Sequence, residues 1–289
     1  MMPRIGVMFD RDRAPEELTG FATALEEAGA DDLWVVEDLG WTGGVSAAAL
    51  ALAATSRLRV GIGIAPAPLR SPMLYAMEIA NLARVHPGRV VAGLGHGVRD
   101  WMRQVGVAPK SPLALLEESV TAVRGLLRGE TVTLDGREVH LDGVRLVHPP
   151  EVVPPVVTGV IREKSLELSG RSADGTILVE GLSPDRLVEA IGHLRRGGAG
   201  PEHEVIGFTF LHVDEDAERA ARTAAAELTG QAGFLGIEPE EVFGLLGPAE
   251  DIPAKVDALV EAGVDTVILR PFGDDHLGQS LAALKALGR

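Results

Sequence analysis

The chain has 289 residues, of which 46% are hydrophobic and 24% charged, the balance of a globular protein rather than a disordered or fibrous one. Its formal net charge of -15 argues against a nucleic-acid-binding surface, because binding to phosphates requires a basic face. The lack of cysteine excludes disulfides, thiolate metal sites and a cysteine nucleophile.

The first residues show no basic-then-apolar signal pattern, and no apolar run reaches the roughly 18 residues of a membrane-spanning helix. We therefore expect a cytoplasmic protein that does not bind membranes.

Eight short apolar runs, rich in valine and isoleucine, recur along the chain. Each is apolar on consecutive rather than alternate residues, which is typical of parallel strands buried on both faces. The predicted strands are residues 4–10, 31–38, 58–66, 89–97, 154–160, 175–181, 205–213 and 265–273.

Helical patterns alternate with these runs. Residues 15–29 begin with proline, carry glutamate in the first turn and end at Gly29. Three later helices open with Ser-Pro, and each serine (Ser71, Ser111 and Ser183) is predicted to cap its helix. Eight strand–helix units predict an α/β fold of the (β/α)8, or TIM, barrel type, as one domain over residues 1–289. The alternative is a doubly wound open sheet of two halves, which the even spacing without a linker disfavours.

Residues 129–155 interrupt the alternation between the fourth helix and the fifth strand. An Asp-Gly turn between two alternating runs predicts a β-hairpin, and a proline-rich segment follows it. This insertion is either a surface excursion or, if it lies on the catalytic face, a wall of the substrate pocket.

In such barrels the active site lies at the carboxyl ends of the strands. The predicted strands end in polar residues that suit a site, namely Asp10, Glu37, Asp38, His96 and Arg270. No histidine pair has metal-ligand spacing, and there is no G-x-S-x-G elbow, so we expect neither a metal site nor a hydrolase.

Glycines are concentrated near the ends of the third and fourth strands. A dinucleotide fingerprint would require glycine where Val98 stands, so that motif is excluded. Glycine without a side chain allows a flat ring to lie against the backbone, which predicts a slot beside Gly61, Gly63, Gly95 and Gly97. The alternative is that these small residues only satisfy tight packing.

The chain resembles the bacterial luciferase-like superfamily of flavin and deazaflavin barrels. The likeness is carried by VVED after the second strand, SRLRVGIGIAPAPLRSP at the third, HPGRVVAGLGHG at the fourth and VTGVIREKSLELSGRSADGTIL across the fifth and sixth. The branch that it most resembles uses the deazaflavin coenzyme F-420, as methylenetetrahydromethanopterin-reductase-like enzymes do.

This resemblance implies a hydride carrier in the barrel mouth and a non-prolyl cis peptide at a bulge in the third strand, at Gly63–Ile64. The cofactor phosphate would lie where the fifth strand enters a helix and at the end of the sixth strand. Backbone N–H groups and the helix dipole independently favour an anion at the former place. The cofactor-binding residues are then expected to be Gly61, Gly63, Ile64, Ala65, Gly95, Gly97, Thr158, Gly159, Val160, Ile161, Arg162 and Gly181.

Many relatives have histidine where this chain has Asp38. We therefore consider Asp38, His96 and Glu37 as catalytic residues, with Asp38 or His96 as the proton donor. The predicted substrate contacts are Asp10, Trp41, Trp101 and Arg270. Arg270 pairs either with an anionic substrate or with Glu37 and Asp10.

Three functions remain open. The first is hydride transfer between coenzyme F-420 and a small organic substrate. The second is an FMN-dependent monooxygenase that receives reduced flavin from a partner reductase. The third is a non-catalytic flavin-binding homologue, since the histidine is missing. Relatives pair as dimers, and the apolar helix SAAALALAAT suits a homodimer contact.

Overall fold

Parallel strands close into a barrel in the computed structural model, which describes residues 3–289. The strands of this part of the chain are β1 (Arg4–Met8), β2 (Asp32–Val35), β3 (Arg59–Pro66), β4 (Val90–Gly95), β5 (Val132–Asp135), β6 (His140–Val144), β7 (Val156–Gly159), β8 (Gly175–Leu178), β9 (Glu204–Val213), β10 (Gly244–Gly247) and β11 (Thr266–Pro271). The helices are α1 (Leu18–Glu27), α2 (Gly44–Ala54), α3 (Pro72–Val85), α4 (Arg99–Gln104), α5 (Pro112–Leu127), α6 (Glu163–Ser172), α7 (Pro184–Gly197), α8 (Ala217–Leu235), α9 (Ile252–Glu261) and α10 (His276–Ala286).

The barrel consists of the eight strands that the apolar runs predict. They pair in the order β1-β2-β3-β4-β7-β8-β9-β11, and β11 returns to pair with β1. Every one of these pairings is parallel, so the (β/α)8 barrel is confirmed and the open doubly wound sheet is rejected.

Two apolar layers hold the barrel together. Inside it, Trp34 is fully buried and meets the ring of Phe208 edge-on at 5.5 Å, and aliphatic side chains surround them. Outside it, leucine, valine and alanine side chains of the strands pack against the helices. The interior filling therefore separates the two ends of the barrel and leaves the site at the carboxyl ends of the strands.

Charged groups close the amino-terminal end. The Asp32 carboxylate is fully buried and accepts hydrogen bonds from Arg59 at 2.7 and 2.9 Å. Arg59 also donates to Glu204 at 2.6 Å, and the carboxylates raise its pKa even though burial opposes this. The network joins β2, β3 and β9 far from the carboxyl ends.

The predicted hairpin forms from β5 and β6, which pair antiparallel. Because it links the end of α5 to the start of β7, it leaves the barrel at the amino-terminal face. It then packs along α5, where the Glu118 carboxylate accepts hydrogen bonds from the backbone N–H groups of Arg137, Glu138 and Val139. The idea that residues 129–155 wall the substrate pocket is therefore wrong, since none of the described cavity residues comes from them.

A different excursion lies beside the carboxyl ends. Between β9 and β11 the chain forms α8 and the short strand β10, which pairs with the last four residues of β9. The sequence predicts the helix but not β10, whose four residues carry too little pattern. β8 pairs only with the first half of β9. The second half of β9 pairs with β10 instead, so β10 extends the wall of the barrel.

The three Ser-Pro helices begin as predicted, each with serine at the N-cap and proline in the first turn. Only the Ser183 hydroxyl accepts a capping hydrogen bond, from the Arg186 N–H at 3.5 Å. At the other two helices the proline supplies the start by fixing the first helical residue.

Candidate active site

A cavity of about 590 Å³ opens at the carboxyl ends of the barrel strands. Every barrel strand, or the turn that follows it, contributes residues to the cavity, and two residues of α8 join them. The lining residues are Met8, Arg11, Val36, Asp38, Gly63, Ile64, Pro66, His96, Gly97, Val98, Arg99, Trp101, Gly159, Val160, Ile161, Arg162, Ser165, Ile177, Val179, Glu180, Phe208, Gln231, Phe234 and Arg270. Its size lies within the range of pockets that bind cofactors and small ligands.

The bulge in β3 forms one wall of the cavity. The register of β3 against β4 shifts between Ile62 and Ala65, and the Gly63–Ile64 peptide bond between them is cis. Both features are as expected from the resemblance. Gly63 and Ile64 are partly exposed to the cavity, whereas Ala65 is fully buried and does not reach it.

The glycines of this region make room for the protein's own side chains, which corrects the expectation of an empty slot. A Cβ at Gly61 would overlap the Trp34 ring. A Cβ at Gly95 would lie 2.8 Å from Ile64 Cγ1, and one at Gly159 would lie 2.6 Å from Ile64 Cγ2. Close packing is therefore the reason for these glycines, and Gly61 and Gly95 lie behind the cavity wall.

Ile64 is the result of this packing. Its side chain lies between β4 and β7, where only glycine backbone leaves enough space, and its exposed part faces the cavity. The cavity wall at this bulge is therefore formed by Gly63 and the Ile64 side chain, and not by bare glycine backbone alone. Gly97, with φ of +66°, lines the cavity beside them at the end of β4.

The loop from β7 into α6 forms the adjacent wall. Gly159, Val160, Ile161 and Arg162 line the cavity, and α6 begins at Glu163 with no side-chain cap. Exposed Arg162 and Lys164 add positive charge there. First-turn N–H groups and the helix dipole make this loop suitable for an anion.

Two predicted phosphate ligands do not reach the cavity. The Thr158 hydroxyl is buried and donates to Ser169 Oγ at 2.6 Å, so it joins β7 to α6. Gly181 is buried under α8 and the segment that precedes β10, where a Cβ would lie 3.0 Å from both Gln231 and Val242. Neither residue is therefore placed to bind a phosphate in the cavity, and Glu180, which precedes Gly181, lines it instead.

The two carboxylates after β2 face different environments. Glu37 accepts hydrogen bonds from Arg70 at 2.6 and 2.9 Å and from the Gly44 N–H at 2.7 Å, and it is buried away from the cavity. The prediction of a catalytic Glu37 is corrected accordingly, since both of its oxygens are occupied. Asp38 lines the cavity and forms an ion pair with Arg11 at 2.6 Å.

His96 lines the cavity between the bulge and α6. Its Nε2 lies 3.1 Å from Ser165 Oγ, at the first turn of α6. Burial lowers the pKa of His96 below its ordinary value, so the imidazole is neutral near pH 7. A neutral ring has one N–H donor and one nitrogen acceptor, so at this place it can orient a polar group of a ligand by hydrogen bonding.

Arg270 pairs with carboxylates of its own chain. Its Nε donates to Asp10 at 3.0 Å, and its Nη1 lies 3.5 Å from Glu180. Burial opposes the charge, but Glu180 and Asp10 together raise the pKa of Arg270. Of the two partners proposed for Arg270 within the chain, Asp10 is confirmed, whereas Glu37 binds Arg70. Asp10 itself is buried and does not line the cavity.

Two tryptophans stand at the rim. Their ring centroids are 5.8 Å apart, and the guanidinium of Arg11 lies 4.7 Å from the Trp41 ring. The Trp41 indole N–H donates to Asp12 at 2.9 Å, which fixes the ring in place. Trp101 lines the cavity, whereas Trp41 supports Trp101 and Arg11 from behind.

Several cavity residues had no clear signal in the sequence. Arg11 directly follows Asp10, and Ser165 lies in the first turn of α6, so both are close in sequence to residues that were predicted. Gln231 and Phe234 come from α8, whose position over the mouth depends on the tertiary fold. The Gln231 amide donates to the Glu180 carbonyl at 2.5 Å and thereby anchors α8.

One cluster of acidic and histidine side chains lies outside the cavity. Glu163, Glu167 and His193 come together where α6 meets α7, although the sequence shows no metal-ligand spacing. Arg196 bonds to His193 and lies 3.7 Å from Glu167. A guanidinium therefore occupies the cluster, which we interpret as an ion-pair network.

No helix within residues 3–289 is long and apolar enough to span a membrane.

The chain is similar over most of its length to known proteins. The chain is 24% identical to the 5,10-methylenetetrahydromethanopterin reductase of Methanolobus tindarius, over 94% of each chain. It is 28% identical to the F-420-dependent glucose-6-phosphate dehydrogenase of Nakamurella multipartita, over 91% of this chain and 81% of the other. The structure of the coenzyme F-420-dependent tetrahydromethanopterin reductase of Methanopyrus kandleri superposes with a TM-score of 0.87 at 19% identity, over 99% of this chain and 98% of the other.

The family model described as luciferase-like monooxygenase matches residues 1–266, which is most of the chain. The protein therefore belongs to the luciferase-like monooxygenase family of enzymes.

Proposed function

We propose that this protein is an oxidoreductase that uses the deazaflavin coenzyme F-420 to exchange a hydride with a small organic substrate. The observation that carries the proposal is the cavity between the β3 bulge and the start of α6, which combines an apolar wall with a loop suited to an anion. Relatives along nearly the whole chain are named as F-420-dependent enzymes, which supports this cofactor over others.

The residues present fit such a cofactor. Gly63 and Ile64 offer an apolar surface for a planar ring, and Gly159 to Arg162 offer N–H groups and positive charge for a phosphate. Bound F-420 would supply the hydride chemistry itself, so the protein contributes binding, orientation and electrostatics.

The chain's own residues then have limited tasks. Ile64 and Trp101 both line the cavity and exclude water from it. Asp38 holds Arg11 in place through their ion pair, and His96 Nε2 offers a hydrogen bond that it otherwise shares with Ser165.

Binding of FMN in the same cavity is the second candidate, because the family model is described as monooxygenases. An FMN phosphate would suit the same loop, and a partner reductase would then have to supply reduced flavin. The third possibility, a non-catalytic homologue, predicts cofactor binding without turnover over a broad substrate panel.

Titration of the purified protein with F-420, with FMN and with the deazaflavin lacking the phosphate tail tests the proposal. Fluorescence quenching should give the tightest binding for F-420. Arg162→Ala should weaken F-420 binding by about tenfold, the effect of losing one charge-assisted contact at an exposed site. The same variant should leave the tailless deazaflavin unaffected, and Arg145→Ala in the insertion should change neither. Tighter binding of FMN than of F-420 would reject the proposal.

We also propose a homodimer. Large apolar side chains of α2 and α3 are exposed on neighbouring helices, with Leu50 48%, Leu74 46% and Met77 51% accessible. Such a patch on adjacent helices suits burial against a second copy.

A further inference from the structure

We infer that the substrate of this enzyme is an uncharged molecule with a largely apolar body, rather than a phosphorylated or carboxylated one. The inference rests on the proposed function, because it concerns the part of the cavity that the cofactor would leave free. The observation behind it is that the guanidinium groups at the ends of β1 and β11 already form ion pairs with carboxylates of the chain.

Both guanidiniums on this side of the cavity are neutralised by the chain itself. Arg11 forms an ion pair with Asp38 at 2.6 Å. Arg270 bonds to Asp10 at 3.0 Å and lies 3.5 Å from Glu180.

Three carboxylates therefore face two guanidiniums, and an anionic group placed here would be repelled overall. Arg270 is only 16% exposed, so it cannot turn to a new partner without leaving two carboxylates unpaired in a buried place. Repulsion across a few ångströms is strong in such a partly buried site. A substrate phosphate would thus lose affinity here.

Two further exposed cations belong to the described cavity lining. Arg162 belongs to the loop proposed for the cofactor phosphate, and Arg99 begins α4 beyond β4. If the substrate carried an anionic group, Arg99 would be the residue available to bind it. The test therefore includes a variant that removes the Arg99 side chain.

The walls on the substrate side are mainly apolar. Met8, Val36 and Val179 line the cavity between the ion pairs, and Phe234 of α8 covers it with 53% of its surface exposed. An exposed phenylalanine at a cavity mouth gains most when an apolar ligand covers it. The chemistry that fits these walls is a ring or short hydrocarbon body.

The test uses the F-420-loaded protein and a matched pair of ligands, benzyl alcohol and benzyl phosphate, in calorimetric titrations. Loading with F-420 occupies the phosphate loop, and the loading step itself reports separately on the proposed function. We expect benzyl alcohol to bind at least about tenfold more tightly than benzyl phosphate, given the size of a single unfavourable charge contact. Benzyl phosphate should not gain affinity at low salt.

Two variants sharpen the result. Phe234→Ala should weaken benzyl alcohol binding by about tenfold without changing F-420 affinity. Val188→Ala, at a similarly exposed apolar position on α7, should have no effect. Glu180→Gln removes one partner of Arg270 and should raise the affinity for benzyl phosphate several-fold.

Tighter binding of benzyl phosphate by the unchanged protein would overturn the inference, and loss of that binding in Arg99→Ala would identify the residue responsible. Binding of neither ligand up to its solubility would also overturn it. Either result would leave the F-420 proposal standing, because F-420 binding is measured first.

Discussion

Replacing Gly159 with alanine tests the proposed role of Ile64 at the cavity wall. The added Cβ would lie 2.6 Å from Ile64 Cγ2, about 0.8 Å short of the 3.4 Å at which ordinary van der Waals contact begins. Gly159 does not have a positive φ, so alanine is compatible with the backbone and only the space is in question. Gly95 packs closely against Ile64 as well, and Ile64 lines the cavity, so we expect the side chain to shift into the cavity.

The size of the effect follows from overpacking. An extra methyl group in a well-packed place costs about 1–3 kcal/mol. If the displaced Ile64 takes up space that the cofactor ring needs, the same energy appears as lost binding. Since about 1.4 kcal/mol corresponds to tenfold in affinity, F-420 should bind about 10- to 100-fold more weakly.

Fluorescence titration with F-420 and a thermal unfolding curve measure the two consequences. The matched control is Gly20→Ala in α1, where a Cβ would meet nothing within 4 Å. Alanine is the better helix former, so this control should be slightly more stable and bind F-420 normally. The double variant Gly159→Ala with Ile64→Ala should recover most of the lost affinity, because the two changes relieve each other.

Unchanged F-420 affinity in Gly159→Ala would refute this reasoning. So would a double variant that binds no better than the single one, since the loss would then come from the loop itself and not from Ile64.

Three further predictions concern stability, pH and assembly. Asp32→Ala should lower the free energy of unfolding by about 3–5 kcal/mol in urea titrations, because it leaves Arg59 buried without this partner; a loss below about 1 kcal/mol would contradict a buried role. Backbone N–H groups of residues 56–58 lower the pKa of Glu26 from 4.5 to about 2, against the effect of burial. The stabilisation of the fold by ionised Glu26 is thus fully present above the unfolded pKa and is lost as pH falls from 4.5 towards 2. Glu26→Gln should therefore flatten this part of the curve of unfolding free energy against pH. An equally steep pH dependence of stability in Glu26→Gln would exclude this contribution of Glu26. Met77→Glu should shift the protein from dimer to monomer in size-exclusion chromatography, whereas Val188→Glu should not, and an unchanged elution of the Met77 variant would reject the α2–α3 interface.

Much of the fold is readable from the sequence because buried parallel strands leave a strong local pattern. Runs such as residues 58–66 and 265–273 are apolar on consecutive positions, and their strands β3 and β11 appear within two residues of the predicted ends. The hairpin was predictable from its Asp-Gly turn. The sequence alone left its face open, although a connection from a helix to the following strand must lie at the amino-terminal end.

The site was only partly predictable, since proximity to a strand end does not say where a side chain points. Glu37 and Asp38 are adjacent in sequence, yet Arg70 and Gly44 hold the first behind the wall while the second faces the cavity. Glycines at 61 and 95 suggested open space, but Trp34 and Ile64 fill it. Phe234 comes from a helix whose own pattern says nothing about the barrel mouth that it covers.

A crystal structure of the protein grown with F-420 tests the central proposal most directly. We expect electron density for the deazaflavin ring in the cavity against Gly63 and Ile64, with phosphate density beside residues 159–162. Ring density elsewhere on the molecule, or a cavity that stays empty at saturating F-420, would contradict the proposed cofactor and its site.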